Sequence, residues 1–378
     1  MPSTVPACLT IADISGYSSY LAGVELDHAQ DILADLMSTV VKAFRPSFKL
    51  SKLEGDAAFV YALTDNVDGS LLLDTVENCY FAFRTRLMSI RQSSTCECNA
   101  CLWIPKLNLK LVAHHGQIAI HKIAGHSELV GNDVVVVHRL LKNSLEETAY
   151  VFISDACTNQ TTLDPEALGF RHHTETYEQI GAIGGWVVDL EAAWERHRNQ
   201  KTIYVSSEDA AFEIAGFIPA PPELVWEYVS SPILRPQWTA GVTRVDQIDP
   251  TGRRRPGTIN HCMHGQDMIL QEFLDWRPPR YYTSRVTVPG GAKVISTHEV
   301  EPAEGGSIIR DRFLKPKAKS AWPIFEQLRE MIISGHEEEL ARLTVLLRER
   351  RESLPDHEEP ALRPPDEVSR LATSVGGR

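Results

Sequence analysis

Long apolar runs are missing from this chain. No stretch reaches the ~18 consecutive apolar residues that a membrane-spanning helix needs, which excludes a helical span. The opening segment, Met1 to Cys8, holds neither the basic nor the apolar part of a secretory signal, so a cytoplasmic location is expected. Positive charge is short: 38 Lys and Arg face 50 Asp and Glu, a formal net charge of −12. That balance excludes a general binder of nucleic acid or anionic membrane. An acidic chain that handles nucleotides needs a cation to bring the phosphates in. Cysteine is scarce and odd in number, seven in 378 residues, which reads as reduced thiols and not as a disulfide framework. No internal repeat is found, and the length fits two ordinary domains or three small ones.

What is present is ordinary globular material, 43% hydrophobic and 23% charged. The apolar run Ala7 to Asp13 predicts a buried strand, broken by Ser15-Gly16. Ile32, Leu33, Leu36, Val40 and Val41 recur at helical spacing within 27–43. Strands are expected over 48–53 and 57–63, joined by the tight turn Glu54-Gly55-Asp56, and a helix over 70–90. A second strand pair, 107–114 and 117–123, is expected to turn at Gly116. A helix over 133–142 and strands at 150–154 and near Phe170 and Trp186 complete the half. This order predicts an α+β sandwich with helices packed on a mostly antiparallel sheet. The expected boundaries are a first domain at 1–191, a polar linker at 192–207, a second domain at 208–352, and a disordered Pro-, Glu- and Arg-rich tail at 353–378.

Two short motifs carry the chemistry of the first half: Asp13-Ile14-Ser15-Gly16-Tyr17 and Lys52-Leu53-Glu54-Gly55-Asp56. Two carboxylates at adjacent strand ends can hold hard divalent cations, Mg²⁺ or Mn²⁺. Each motif alone has a plainer reading, Asp13 as a helix cap and Gly55-Asp56 as a hairpin turn. Further along stand Gly131-Asn132-Asp133-Val134 through Arg139-Leu140, and Val151 through Ala156.

In that order these segments, covering about residues 7–190, resemble class III adenylyl and guanylyl cyclases of an uncharacterised bacterial branch. The resemblance implies a ferredoxin-like, cyclase-type α/β sandwich that forms a head-to-tail homodimer. It makes Asp13 and Asp56 metal ligands, assisted by the Ile14 carbonyl. It makes Lys52 and Glu128 readers of the purine, with lysine favouring adenine, and Arg139 the stabiliser of transition-state charge. The alternatives are exposed charges for Lys52 and Glu128 and a helix-surface arginine for Arg139. Val135 stands where the family usually has asparagine, and the family's late phosphate-binding lysine has no match between Thr176 and Leu190.

Cys96, Cys98 and Cys101 offer three thiolates within six residues. They could hold Zn²⁺ with a fourth ligand such as His114 or His115. The other reading is a loop of free thiols.

The second half has a strand to Ile218, a turn set by Pro219, Pro221 and Pro222, a helix, then several strands and a long helix over 324–350. With the Phe273-Leu274-Asp275-Trp276-Arg277-Pro278-Pro279-Arg280-Tyr281 segment, this resembles START-like domains of the polyketide cyclase/SRPBCC type over about 209–350. The resemblance implies a helix-grip fold: a curved antiparallel sheet around a long C-terminal helix, with a cavity for a hydrophobic small molecule. Trp238, His261, Phe273, Tyr282 and Phe325 are the candidate lining, although aromatics there also serve as plain core.

The sequence therefore predicts a metal-dependent binder of a nucleoside triphosphate, with adenylyl cyclase activity as its reaction, coupled to a sensor of a hydrophobic compound. The alternative is a catalytically inactive cyclase-fold scaffold joined to a ligand-binding domain.

Overall fold

The computed structural model describes residues 4–352 except 25, 46, 94–97, 124 and 125, so the tail expected at 353–378 lies outside the described residues. The first half runs β1 (Val5–Ser15), α1 (Tyr17–Ala22), α2 (Leu26–Phe44), β2 (Lys49–Glu54), β3 (Ala57–Leu63), α3 (Gly69–Ser93) and α4 (Asn99–Trp103). It continues with β4 (Asn108–Ile123), β5 (His126–Val130), α5 (Asn132–Leu140), β6 (Tyr150–Ser154), α6 (Asp155–Thr158), β7 (Arg171–Tyr177), β8 (Gly181–Asp189) and α7 (Leu190–Asn199). The strands lie in the order β2-β3-β1-β4-β6-β8-β7, with β5 paired to β4; among the described residues β4–β6 is the one parallel pair.

β1 is apolar from Ala7 to Ala12, with Thr10 as the exception, because both its faces are covered. Cys8, Ala12 and Ile14 join one core with Leu36, Val40 and Phe44 of α2 and Val76, Tyr80 and Phe83 of α3. Ala7, Leu9 and Ile11 join the other with Val136, Val137 and Leu140 of α5.

Two expectations change. Gly116 is no hairpin turn: β4 runs straight through it, pairing β1 over one stretch and β5 over the other. Its glycine is needed because a Cβ there would sit 2.1 Å from Cγ of Asp133. The first half of the stretch read as a linker at 192–207 belongs to α7, where Asp189 caps the Ala192 N–H and Ala193 and Trp194 are buried. The chain after α7 is strapped to the second domain, with the Ile203 N–H on Asp275 at 2.9 Å and the Val205 N–H on Thr297 Oγ1 at 2.9 Å.

The second half is β9 (Ala210–Ile218), α8 (Pro222–Ser230), β10 (Val242–Ile248), β11 (Ile259–His264), β12 (Asp267–Arg277), β13 (Tyr281–Thr287), β14 (Lys293–Ala303), β15 (Gly306–Leu314) and α9 (Trp322–Glu352). Its antiparallel sheet has the order β10-β11-β12-β13-β14-β15-β9, and α9 lies against one face, where Leu343 and Leu347 join Trp226, Phe273 and Tyr282. This is the helix-grip arrangement.

The two halves meet along α3. Leu71 packs against the second core, Arg253 grips Glu77 with two bonds at 3.0 and 2.5 Å, and Trp276 Nε1 donates to Asp74 at 3.0 Å. Arg253 stands 3.5 Å from Asp74, too far to offset its burial fully, so burial pushes the Asp74 carboxyl up to about 6. A folded value above the ordinary one contributes stability that is complete below about pH 4 and lost as pH rises through about 6. Asp74→Asn, which still accepts from Trp276, should therefore flatten the fall in melting temperature between about pH 4 and 6 relative to wild type.

Candidate functional site

A strand end and a hairpin bring the two acids together. Near the end of β1, Asp13 pairs Ala57 of β3, and the Ile14 N–H donates to the Asp56 carbonyl at 3.1 Å. The turn between β2 and β3 passes through Gly55 at φ +68°, left-handed ground that suits glycine. Burial, and then the Asp13 carboxylate, hold the Asp56 carboxyl above its ordinary value. A divalent cation relieves such repulsion, and two carboxylates with the Ile14 carbonyl are hard oxygen donors that fit Mg²⁺ or Mn²⁺. Among the described residues no group of three or more His, Cys, Asp or Glu converges.

Lys110 escaped the sequence reading. It lies opposite Asp13 across β1 and β4, with Nζ 3.1 Å from Oδ2. One cation is thus built into the acidic pair by the chain itself.

Lys52 and Glu128 also meet. Lys52 Nζ is 3.1 Å from Glu54 Oε1 and 3.8 Å from Glu128 Oε2, and His138 Nε2 is 3.0 Å from Glu54 Oε2. Burial works against the Glu54 charge, but Lys52 and His138 together hold its carboxyl below the ordinary range.

The start of α5 is fixed by a buried network. His114, 5% exposed, contacts Ser154 Oγ through Nδ1 at 2.8 Å and Asp133 Oδ1 through Nε2 at 3.1 Å. Asp133 also accepts the Gln117 N–H at 2.7 Å. Burial lowers the His114 value against the pull of Asp133, and both ring nitrogens are engaged within this network. Gly116→Ala pushes a methyl into this network and should cost about 2 kcal/mol of stability, read as a lower urea midpoint at unchanged m value.

The far side of α5 is open. Val135 is 49% exposed, and Arg139, one turn on, is exposed on the same face with no hydrogen bond or ion pair among the described residues. Arg139 makes no contact with Asp13 or Asp56 of its own chain.

Of the three clustered cysteines, Cys96 lies outside the described residues, Cys98 is half-buried and Cys101 is buried against the first core. His115 is bonded to the Thr64 carbonyl at 3.0 Å.

The second domain holds a small, partly open cavity of about 40 Å³ between the sheet and α9. Trp238 and Tyr282 line it. The other candidates sit elsewhere. Phe273 backs Tyr282 from within the core, with ring centroids 5.2 Å apart. Phe325 fills a separate cluster with Phe212 and Phe313. His261 falls between Asn260 and Cys262, whose side chains are buried on the helix side, and so takes the opposite face of β11.

Comparison with known proteins matches residues 33–150 to a family described as "Protein of unknown function (DUF2652)". Residues 210–345 match "Polyketide cyclase / dehydrase and lipid transport". A relative in Mycobacterium tuberculosis, the uncharacterized protein Rv2561/Rv2562, is 39% identical over 158 residues, 42% of this chain and 73% of that one. Among solved structures, the guanylyl cyclase Cya2 aligns with 50% of this chain and 93% of its own at 14% identity and a TM-score of 0.40. A bacterial light-regulated adenylyl cyclase aligns with 51% of this chain and 53% of its own at 14% identity and a TM-score of 0.38. Ara h 8.0201 aligns with 36% of this chain and 97% of its own at 17% identity and a TM-score of 0.31.

Proposed function

We propose that this chain, which belongs to the family of the uncharacterized protein Rv2561/Rv2562, binds a purine nucleoside triphosphate through divalent cations at Asp13 and Asp56 and converts ATP to cyclic AMP. A hydrophobic small molecule in the second domain is its input. The observation that carries this reading is the juxtaposition of Asp13 and Asp56, joined through the Ile14 N–H to Asp56 carbonyl bond of 3.1 Å.

The chain's own residues divide the work. Asp13 and Asp56, with the Ile14 carbonyl, hold the cation. When bound, it polarises the phosphate and makes the attacking hydroxyl more acidic. Lys110 adds a fixed positive charge on the Asp13 side, lowering the cost of bringing in a triphosphate. Lys52 and Glu128, held near each other, offer a donor and an acceptor to the edge of a purine. Arg139 points to solvent, so it serves a neighbouring copy. In a closed two-fold dimer each site takes its acids from one chain and its arginine from the other. The input reaches the first domain through α3, where Leu71, Asp74 and Glu77 are bound to the second.

A second reading is favoured by one residue. Val135 places an apolar side chain on the face that Arg139 shares, where the resembled enzymes carry an orienting amide. Loss of such a donor costs about 100- to 1000-fold in rate, which would leave nucleotide binding on a catalytically silent scaffold. Incubation with ATP, GTP, CTP and UTP in Mn²⁺, followed by product analysis, separates the two. Cyclic AMP from ATP supports the enzyme. Binding without any cyclic product supports the scaffold, and neither binding nor product removes both.

A further inference from the structure

The walls of the second domain's cavity are more polar than a purely apolar ligand requires. Val229, Val300, Ile309 and Leu340 are joined there by Asp311, Glu339 and His336, and among the described residues no lysine or arginine lines it. A third carboxylate, Glu299, is already met by Arg312 at 2.7 Å and by the Tyr204 hydroxyl. The other two have capacity to spare. Asp311 gives one oxygen to His298 Nδ1 at 2.9 Å, and Glu339 gives one to the Ala240 N–H at 2.8 Å. Nε2 of His336, one turn before Glu339 on α9, is buried without a partner. Trp238 and Tyr282 supply the aromatic wall beside them.

We propose that this cavity takes a primary amine carried on an apolar or aromatic body. Three acceptors, from Asp311, Glu339 and His336, match the three donors of an ammonium group. Tyr282 is stacked between Trp276 and His298, so Trp238 is the aromatic side chain of the lining left to favour a cation. An anionic lipid head would instead meet two carboxylates. The opposing charge is Arg235, set back from the lining with Nη1 on Gln271 Oε1 at 2.6 Å. It offsets one of the two acids and leaves the wall negative.

This inference rests on the reading of the cavity as a ligand site, and the test separates the two. The full chain is titrated with 1-naphthylmethylamine, 1-naphthalenemethanol and 1-naphthoate, read by tryptophan fluorescence and calorimetry. The amine is expected to bind at least about ten-fold tighter than the carboxylate, with the alcohol between. Glu339→Gln should erase most of that preference and leave the alcohol's affinity unchanged. Asp311→Asn should do the same, and Glu339 on α9 keeps the test open should loss of the His298 partner impair folding. Naphthoate binding as tightly as the amine, or a preference untouched by Glu339→Gln, overturns the amine assignment while leaving a ligand site in place. No binding of any of the three removes the ligand site and the amine with it.

Discussion

Asp56→Ala abolishes Mn²⁺-dependent ATP binding and leaves the melting temperature nearly unchanged. The first half of that result is electrostatic. Asp13 and Asp56 stand against each other at one sheet end, and a triphosphate brought to bare carboxylates is repelled unless cations intervene. With one carboxylate gone, Asp13 is left with Lys110 as its partner at 3.1 Å, a pair already neutral and with little reason to recruit a divalent ion. The second half follows from packing. Asp56 sits in a hairpin turn and its carbonyl, not its side chain, accepts the Ile14 N–H, so alanine keeps that bond. Substitutions of this kind away from the core stay within about 0.5 kcal/mol. Calorimetric titration with ATP, beside a thermal melt, checks both halves, and wild-type affinity in the variant contradicts the assignment.

The second large effect needs two variants. Asp13→Asn and Arg139→Ala are each expected to lose about 100- to 1000-fold in cyclase rate. Co-expressed, they should recover up to about a quarter of the wild-type rate per chain, because half the dimers are mixed and each mixed dimer keeps one intact site. The ground is the placement of Arg139 on an exposed face of α5, without contact to the acids of its own chain. Recovery is read by cyclic AMP production from the purified mixture. Two folded, co-purifying variants that stay silent together contradict the shared site.

How much of this was legible in the sequence depended on the range of the interactions involved. β1 could be read because an element covered on both faces needs a nearly continuous apolar run, and Ala7 to Ala12, Thr10 apart, supply it. The Lys52 to Asp56 hairpin could be read because a turn needing left-handed backbone at Gly55 is a local demand. Lys110 could not, since its role exists only through the β1–β4 register that sets it opposite Asp13. Gly116 was misread as a turn for the same reason: the carboxyl that excludes a Cβ there belongs to Asp133, on another element. α7 was hidden by its polar outer face, although Trp194 and the Asp189 cap were signals that it packs. The bond from Trp276 to Asp74 joins residues 202 apart and had no local trace. In the second domain, strand alternation could not tell Tyr282, at the cavity, from Phe273, behind it, because both lie on the helix side of the sheet.

The most direct test of the account is the binding of ATP to the wild-type chain, titrated calorimetrically in Mn²⁺ and again with the metal removed by chelator. The account predicts saturable binding with Mn²⁺ and none in chelator, since the acids at Asp13 and Asp56 admit phosphate only through a cation. Binding that survives the chelator, or no binding in either condition, would contradict it.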